Sequence, residues 1–180
     1  MSPRTVAQRY AKALFDLALR QGQVDQLYAE LDQLLRLYQE SRLFRTIVES
    51  PIHRSQQKIG WLRSVLEPAI SPLLWTFIQL LIRRGREALL NETCEAFIEL
   101  YDAYQRRLRA VVRTAHSLSD TARALLSERL RAVFSAETVL LSEEVDPRLI
   151  GGFIVEVGTR AADLSVRGRL GDIQKKLLQA

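Results

Sequence analysis

The sequence predicts a mainly α-helical protein, with an N-terminal antiparallel six-helix bundle over residues 1–105 and a small α+β region over residues 106–180. Three observations predict this fold. Apolar residues recur at helical spacing in six segments before residue 105. The loops between these segments are short, as in antiparallel bundles. From residue 108 onward, runs of β-type residues appear between helical patterns, so we place the domain boundary near Arg106.

The first helix begins at Ser2-Pro3, with serine as N-cap and proline at the first helical position, and ends at Gly22. Its apolar residues spread over about 200° of the helix circumference, roughly twice the width that packing on one core requires. Two accounts remain open for this width. Either the helix is central in its own bundle, or its surplus face forms a groove for another helix.

The next helices differ in how much of their surface is apolar. The second, from Val24 to Tyr38, has one apolar face, and two shorter helices follow over 43–48 and 59–66. The fifth begins at Ser71-Pro72 and is apolar nearly all round, so it is either core or interface. The sixth runs from about Glu87 to Arg107. Its predicted buried residues are Leu90, Cys94, Phe97, Ile98, Tyr101 and Tyr104.

In the C-terminal region we predict strands over 110–114 and 138–141, and a hairpin with strands over 149–157 and 161–164 that reverses at Thr159-Arg160. Ser119 caps a helix between the first two strands, and Ser165 caps a final helix over 166–178. The predicted buried residues of the two helices are Ala122, Leu125, Leu126, Leu130, Val133 and Phe134 in the first, and Leu170, Ile173 and Leu177 in the second.

Gly151 and Gly152 fall inside the first strand of the predicted hairpin. Glycine weakens a strand interior, so the pair indicates either a bulge or a close approach of another backbone. The surrounding residues have neither the dinucleotide-binding nor the P-loop spacing, which argues against a phosphate-binding loop.

Composition indicates a folded protein with a basic C-terminal region. The chain has 47% hydrophobic and 26% charged residues and a net charge of +5. Residues 1–105 contain 13 basic and 12 acidic residues, whereas residues 106–180 contain 13 and 9. The most apolar run, Ile70–Ile82, is shorter than the roughly 20 residues that span a bilayer. It therefore predicts a buried helix, and we expect no direct membrane insertion.

Residues for catalysis or metal binding are scarce in this sequence. It has one cysteine and two histidines, and none of them has zinc-ligand spacing. We interpret His53 and His116 as ordinary surface or capping residues and Cys94 as a small core residue. Glu143, Glu144 and Asp146 are interpreted as a solvated loop at a strand end, because their spacing fits no calcium loop. We therefore predict no catalytic residue, no cofactor and no metal.

Two segments of the sequence resemble a known family closely. The segment VDPRLIGGFIVEVGTRAADLSVRGRLGDIQKKL, residues 145–177, resembles the C-terminal signature of the delta subunit of F-type ATP synthases, called the oligomycin-sensitivity-conferring protein in mitochondria. VAQRYAKALFDLA, residues 6–18, is similar to that family's first helix. Weaker similarity occurs at 50–58, 83–90 and 110–119, so the resemblance covers the whole chain.

The resemblance implies a non-catalytic stator subunit of the ATP synthase, present in one copy and not a homo-oligomer. Its N-terminal bundle would bind N-terminal helices of the alpha subunits, and its C-terminal region would join the b subunits of the peripheral stalk. The implied location is peripheral, on the cytoplasmic face of the bacterial plasma membrane, or alternatively in an organelle matrix or stroma. By holding the catalytic head against rotor torque, such a subunit keeps proton flow coupled to ATP synthesis.

The resemblance also implies two sets of contact residues. The alpha-subunit helix would lie between the first and fifth helices, on Ala7, Tyr10, Ala11, Leu14, Phe15, Ala18, Phe77, Leu80 and Leu81. The stalk contact would use Gly151, Gly152, Phe153, Val166, Leu170, Ile173 and Leu177.

A second class of function also fits the residues, namely a basic RNA-binding or regulatory helical protein. The sequence pI of about 9.7 and the arginines at 106, 107, 109 and 113 favour it. The sequence lacks a cluster of stacking aromatics or a recognised RNA motif, and the expected partners therefore include no nucleic acid. Nucleic-acid binding at moderate salt distinguishes the two classes.

Overall fold

The computed structural model describes residues 2–50, 53–158 and 160–170. The predicted class is confirmed at the level of a mainly helical protein with a small sheet in its C-terminal region. The chain divides into two compact units, Met1–Tyr101 and Asp102–Ala180. The first unit is helical, and the second contains a four-stranded sheet.

Six α-helices begin within the described part of the first unit. They are α1 (Pro3–Gln21), α2 (Val24–Glu40), α3 (Arg42–Glu49), α4 (Ser55–Leu66), α5 (Pro72–Arg83) and α6 (Leu90–Tyr104). The predicted bounds of the sixth helix are wrong at both ends. Glu87–Leu89 forms a separate 3-10 turn, and the helix ends at Tyr104 because Arg106 adopts a φ of 50° and a strand begins at Arg107.

Serine caps begin α1 and α5, as predicted. The Ser2 hydroxyl accepts the Thr5 N–H, and the Ser71 hydroxyl accepts the Leu74 N–H, each at 3.3 Å. A further contact anchors the second cap, because Glu30 of α2 accepts both the Ser71 N–H and the Ser71 hydroxyl, at 3.0 and 2.7 Å. The start of α5 is therefore tied to α2 by hydrogen bonds.

One apolar core joins these helices. The predicted apolar face of α2 lies in it, and α5 contributes Leu74, Trp75, Phe77, Ile78, Leu81 and Ile82. The fifth helix is therefore largely core, with Leu80 left 41% exposed. The predicted burial of Tyr104 is wrong, because its side chain is 57% exposed at the end of α6.

A charged side chain is buried in this mostly apolar unit. Lys58 of α4 is 1% exposed, and its Nζ donates to the Val48 carbonyl of α3 at 3.0 Å and to the Glu87 carboxylate at 2.5 Å. Burial of an unpaired charge is costly, and these two acceptors offset that cost. The ion pair connects α4 to the 3-10 turn before α6, and the hydrogen bond to Val48 connects α4 to α3.

The second unit contains strands β1 (Arg107–Thr114), β2 (Thr138–Val145), β3 (Phe153–Val157) and β4 (Arg160–Asp163), with helix α7 (Asp120–Phe134) between β1 and β2. The sheet order is β2-β1-β3-β4. β1 and β2 are parallel, joined by α7 as crossover, whereas β1–β3 and β3–β4 are antiparallel. The core is small, with Ala110, Val112, Leu130 and Val155 buried.

Two of the three acidic residues predicted as a solvated loop, Glu143 and Glu144, belong instead to β2, which extends four residues beyond the predicted end, whereas Asp146 follows the strand. Glu143 accepts the Leu118 N–H at 2.6 Å and pairs with Arg123 at 2.5 Å. These two interactions hold the pKa of Glu143 below its ordinary value. Glu144 pairs with Arg113 across the strands at 2.9 Å, so cross-strand ion pairing extends the strand.

The predicted burial of α7 is wrong at two positions. Leu130 is buried, but Leu125 and Val133 are 58% and 75% exposed. α7 packs along β2 and over the buried residues of β1, and it leaves part of the sheet face open. The apolar face of α7 is therefore wider than the part of the helix that packs against the sheet.

The hairpin also differs from its prediction. β3 begins at Phe153, so the two glycines precede the strand instead of interrupting it. Val157 pairs with Arg160, which places Arg160 in β4 and not in the turn, and Gly158 follows β3 with a φ of 57°. Thr159, the other predicted turn residue, lies outside the described residues.

We predict that Lys58→Met destabilises the chain by about 3 kcal/mol, because it leaves Glu87 partly buried without its cation. Urea unfolding followed by circular dichroism measures this. Lys58→Met combined with Glu87→Leu should recover most of the loss, since it removes both charges. Arg63→Met, which breaks the exposed Arg63–Glu67 pair on the same helix, is the matched control and should leave the midpoint unchanged. Equal midpoints for Lys58→Met and Arg63→Met would contradict this role for the buried pair.

Candidate functional site

The first candidate surface involves α1, where the structure distinguishes core from exposed residues. Of the six α1 positions implied by the family resemblance, all except Tyr10 lie in the core of this unit. Their exposed fractions are Ala7 0%, Ala11 0%, Leu14 2%, Phe15 7% and Ala18 0%. Packing of these side chains in the core accounts for the width of the apolar arc of α1.

A narrower apolar stripe stays accessible beside that core. Val6, Tyr10, Ala13 and Leu17 recur at helical spacing on α1, partly or fully exposed. Among the α5 positions implied by the resemblance, Phe77 and Leu81 are buried and Leu80 is exposed. We call Val6, Tyr10, Ala13, Leu17 and Leu80 the α1/α5 surface. The sequence places the four α1 residues on the apolar arc but gives no signal that separates them from the core.

Tyr10 links α1 to α5 within this surface. Its ring meets the Phe77 ring edge-on, with centroids 6.3 Å apart. Arg86 donates to the Tyr10 hydroxyl at 2.8 Å, and its guanidinium lies 5.5 Å from the ring centroid. A depression of about 300 Å³ surrounds this contact, lined by Val6, Arg9, Tyr10, Ala13 and Arg86.

The second candidate surface includes the two glycines before β3. A Cβ on Gly152, which has a φ of 73°, would overlap the Leu164 carbonyl oxygen and lie 3.0 Å from the Ser165 Cα. Hydrogen bonds fix this approach on both sides, because the Val166 N–H donates to Gly151 O and the Leu164 N–H donates to Phe153 O, each at 2.9 Å. The chain's own backbone makes the close approach that requires glycine at position 152. Neither a strand bulge nor a partner protein is therefore needed to explain this glycine.

Ser165 follows that contact and caps the last helix, as predicted. Its hydroxyl accepts the Gly168 N–H at 3.0 Å, and the side chain is 1% exposed. The Ser165 hydroxyl and the Ser165 N–H, the latter at 2.8 Å, both interact with the Asp163 carboxylate and hold the pKa of Asp163 below its ordinary range. The described part of this helix covers 166–170.

Exposed apolar side chains surround the two glycines. Leu170, predicted to be buried, is 54% exposed, and Val166 is 41% exposed. Ile150 is 66% exposed although its φ of 67° is costly for a β-branched residue. We call Ile150, Val166 and Leu170 the glycine-loop surface. The sequence did not predict Ile150 as a contact residue, because an isoleucine in a sequence gives no sign that its φ is positive. The predicted contact residues Ile173 and Leu177 lie outside the described residues.

Reactive groups are sparse over 2–50, 53–158 and 160–170. In these ranges, no group of three or more His, Cys, Asp or Glu residues could hold a metal ion. Burial raises the pKa of the Cys94 thiol to about 12, so it stays protonated and unreactive at neutral pH. No helix in the described ranges combines the length and apolarity needed to cross a membrane.

The chain belongs to the ATP synthase delta (OSCP) subunit family, because the family model matches residues 6–177. The predicted resemblance is thereby confirmed. Its relatives include ATP synthase subunit delta of Moorella thermoacetica, 33% identical over 183 residues and all of both chains. The subunit delta of Rhizobium leguminosarum bv. trifolii is 34% identical over 96% of this chain and 92% of its own.

A solved structure has the same fold. A chain in the cryo-EM structure of the Toxoplasma gondii mitochondrial ATP synthase hexamer superimposes with a TM-score of 0.77. The match covers 96% of this chain and 97% of that chain, at 23% sequence identity. At that identity the likeness concerns the fold.

We predict that Gly152→Ala destabilises the second unit by at least twice as much as Gly158→Ala. Both glycines have a positive φ, which costs alanine about 1 kcal/mol, but only Gly152 also lacks space for a Cβ. Hydrogen–deuterium exchange at the amides of β3 and β4 measures the difference. If both variants exchange at the same rate, the close approach of Leu164 and Ser165 is not what requires glycine at 152.

Proposed function

We propose that this chain is the delta subunit of an F-type ATP synthase, a non-catalytic member of the peripheral stalk. The observation that carries the proposal is the match of the family model over residues 6–177, together with full-length relatives that are ATP synthase delta subunits. The subunit joins the catalytic head to the membrane-anchored b subunits. It resists the torque of the rotor, so that proton flow and ATP synthesis remain coupled.

In this proposal residues 1–105 act as an antiparallel six-helix bundle that binds the head, and residues 106–180 bind the stalk. A part that transmits torque must resist deformation, and the buried ion pair of Lys58 and Glu87 supports this role for the bundle. The subunit is present in one copy and is peripheral, on the cytoplasmic face of a bacterial membrane or alternatively in an organelle matrix or stroma.

The head contact is a helix-in-groove interaction on the first unit. An N-terminal helix of an alpha subunit would lie along the α1/α5 surface, with Tyr10 and Leu80 in direct contact. The buried alanines at 7, 11 and 18 act indirectly, because small side chains allow close packing below that surface. Exposed apolar residues spaced along one helix face are what such a partner requires.

The stalk contact uses the second unit. The C-terminal ends of the b subunits would pack on the glycine-loop surface, with Gly151, Gly152 and Phe153 shaping it. The strained and exposed Ile150 supports this assignment, because its own chain gives the side chain little burial. Ile173 and Leu177 extend the proposed contact along the sequence.

The RNA-binding alternative loses support from the pairing of its arginines. Among the arginines that favoured it, Arg106, Arg109 and Arg113 form ion pairs with carboxylates, which lowers their availability for phosphate. The pairs are Arg106–Glu137, Arg109–Asp102, Arg113–Glu144 and Arg113–Glu156. We accordingly propose partners that are proteins and not nucleic acid.

The head contact is tested in an assembled ATP synthase carrying Leu80→Asp. A carboxylate placed in an apolar interface costs about 2–4 kcal/mol, which weakens binding at least thirtyfold. We expect ATP hydrolysis to continue while ATP-driven proton pumping, measured in membrane vesicles, is largely lost. Leu43→Asp, at a 71% exposed position on α3, is the matched control and should pump normally. Normal pumping by Leu80→Asp would contradict the proposed head contact.

The stalk contact is tested by binding of the purified subunit to the soluble part of the b subunits. Leu170→Asp should weaken this binding at least tenfold in calorimetric titration, because it puts a charge on the glycine-loop surface. The control is Leu125→Asp, at a similarly exposed position on α7, which should bind as the unmodified chain does. Equal affinities for the two variants would place the stalk contact elsewhere.

A further inference from the structure

The strand β2 forms an open edge of the sheet in the second unit. It is the first strand in the order β2-β1-β3-β4, and no described strand lies on its other side. Its eight residues extend over about 26 Å, and none of their side chains is buried, whereas the neighbouring β1 contains the buried residues Ala110, Val112 and Thr114. An edge strand presents a row of backbone N–H and C=O groups that the sheet itself does not pair.

Hydrogen bonds at the two ends of β2 establish which backbone groups face outward. The Thr138 N–H donates to the Arg106 carbonyl at 3.5 Å, and the Asp146 N–H donates to the Thr114 carbonyl at 2.7 Å. Successive residues of a strand direct their backbone groups to alternate edges, so the even-numbered residues in between also face β1. The residues whose N–H and C=O groups point away from the sheet are therefore Val139, Leu141, Glu143 and Val145.

β2 lacks the features that normally keep an edge strand from pairing. Natural proteins protect such edges with short strands, lysine, proline or bulges. The other edge, β4, has four residues and a charge at each end, Arg160 and Asp163. β2 is twice as long, contains no lysine, proline or glycine, and pairs with β1 without a bulge over its whole length. Its first five residues, 138–142, are uncharged. This edge is therefore suited to the addition of a further strand.

The exposed charges along β2 are acidic. Glu137 precedes the strand and Glu144 lies near its end, with side chains 66% and 57% exposed. Each is paired with an arginine of this chain, but an exposed ion pair contributes little and its carboxylate can accept a second cation. Glu143 is different, because its side chain is 14% exposed and pairs with Arg123 of α7. A second copy of β2 would add only further glutamates to this edge, so charge favours a basic partner over a second copy.

We propose that β2 binds an extended segment of another polypeptide as an added antiparallel strand, one with a basic residue at each end and uncharged β-branched residues between them. Val139, Leu141 and Glu143 supply the backbone hydrogen bonds, and antiparallel pairing is the more stable geometry. Glu137 and Glu144 are seven positions apart, so the two basic residues of the partner are seven positions apart as well. The site is separate from the α1/α5 surface and from the glycine-loop surface.

The probe is a fluorescein-labelled peptide of sequence Lys-Val-Thr-Val-Thr-Val-Thr-Lys, and its counterpart has glutamate at both ends. Fluorescence anisotropy with the full chain should show the lysine peptide binding at least tenfold tighter. In the antiparallel register that places the lysines opposite Glu137 and Glu144, the valine N–H groups point toward β2 and the threonine N–H groups point away. N-methylation of two valines should therefore weaken binding at least tenfold, whereas N-methylation of two threonines should leave it within twofold.

Hydrogen exchange measured by NMR locates the bound peptide. Binding should slow exchange at the amides of Val139, Leu141 and Glu143 at least tenfold, because these N–H groups gain acceptors. The amides of β4 should keep their rates. Protection of β4 in place of β2 would overturn the proposal. Concentration-dependent protection of the β2 amides in the free chain would also overturn it, since a second copy would then fill the edge.

Charge reversal tests the acidic residues of the edge. Glu137→Lys combined with Glu144→Lys should reverse the preference between the lysine and glutamate peptides, and both side chains are exposed enough for the fold to be retained. The matched control is Glu40→Lys combined with Glu128→Lys, which makes the same change in net charge at exposed positions of α2 and α7. The control should keep the preference for the lysine peptide.

Three further outcomes overturn the proposal. They are the absence of binding, an equal loss of affinity with both N-methylated peptides, and an equal effect of the control variant on the preference between the peptides. None of these outcomes bears on the head or stalk contacts, which the Leu80 and Leu170 variants test.

Discussion

The first unit depends on a charge that its core cannot solvate. Lys58 is among the least exposed side chains of the protein, and its ammonium has the Val48 carbonyl and the Glu87 carboxylate as acceptors. Because an unpaired buried charge costs several kcal/mol, α3, α4 and the turn before α6 have to meet at this point for the unit to be stable. Apolar packing can tolerate small shifts between helices, whereas the two contacts of the Lys58 ammonium hold three segments together.

A comparable constraint in the second unit is steric. The loop before β3 passes so close to Leu164 and Ser165 that only glycine fits at position 152. This contact holds the loop against the start of the last helix, and Ile150, Val166 and Leu170 are exposed. A rigid backbone below exposed apolar side chains is a preorganised surface, because few conformations are lost when a partner binds.

The two units thus supply different surfaces for a protein whose proposed role is mechanical. In the first, Tyr10 lies between Phe77 and Arg86 at the edge of a filled core, so the accessible surface is a narrow stripe. In the second, α7 covers only part of the four-stranded sheet, and an apolar groove lined by Phe153, Val155 and Leu164 lies beside it. Function here follows from the side chains that each core leaves uncovered, since no described cluster could supply a metal site.

The sequence by itself determined the fold class, the serine caps of α1, α5, α7 and the last helix, the presence of a helix between β1 and β2, and the family. These properties depend on local spacing and on residue types, which a sequence displays directly. Only the tertiary structure decided that Ala11 and Phe15 are core while Tyr10 stays accessible, that Val133 is exposed, and that Gly152 faces its own chain's Leu164. Such outcomes depend on which distant segment covers a given face. An apolar residue has the same pattern along the chain whether its own core or a partner covers it.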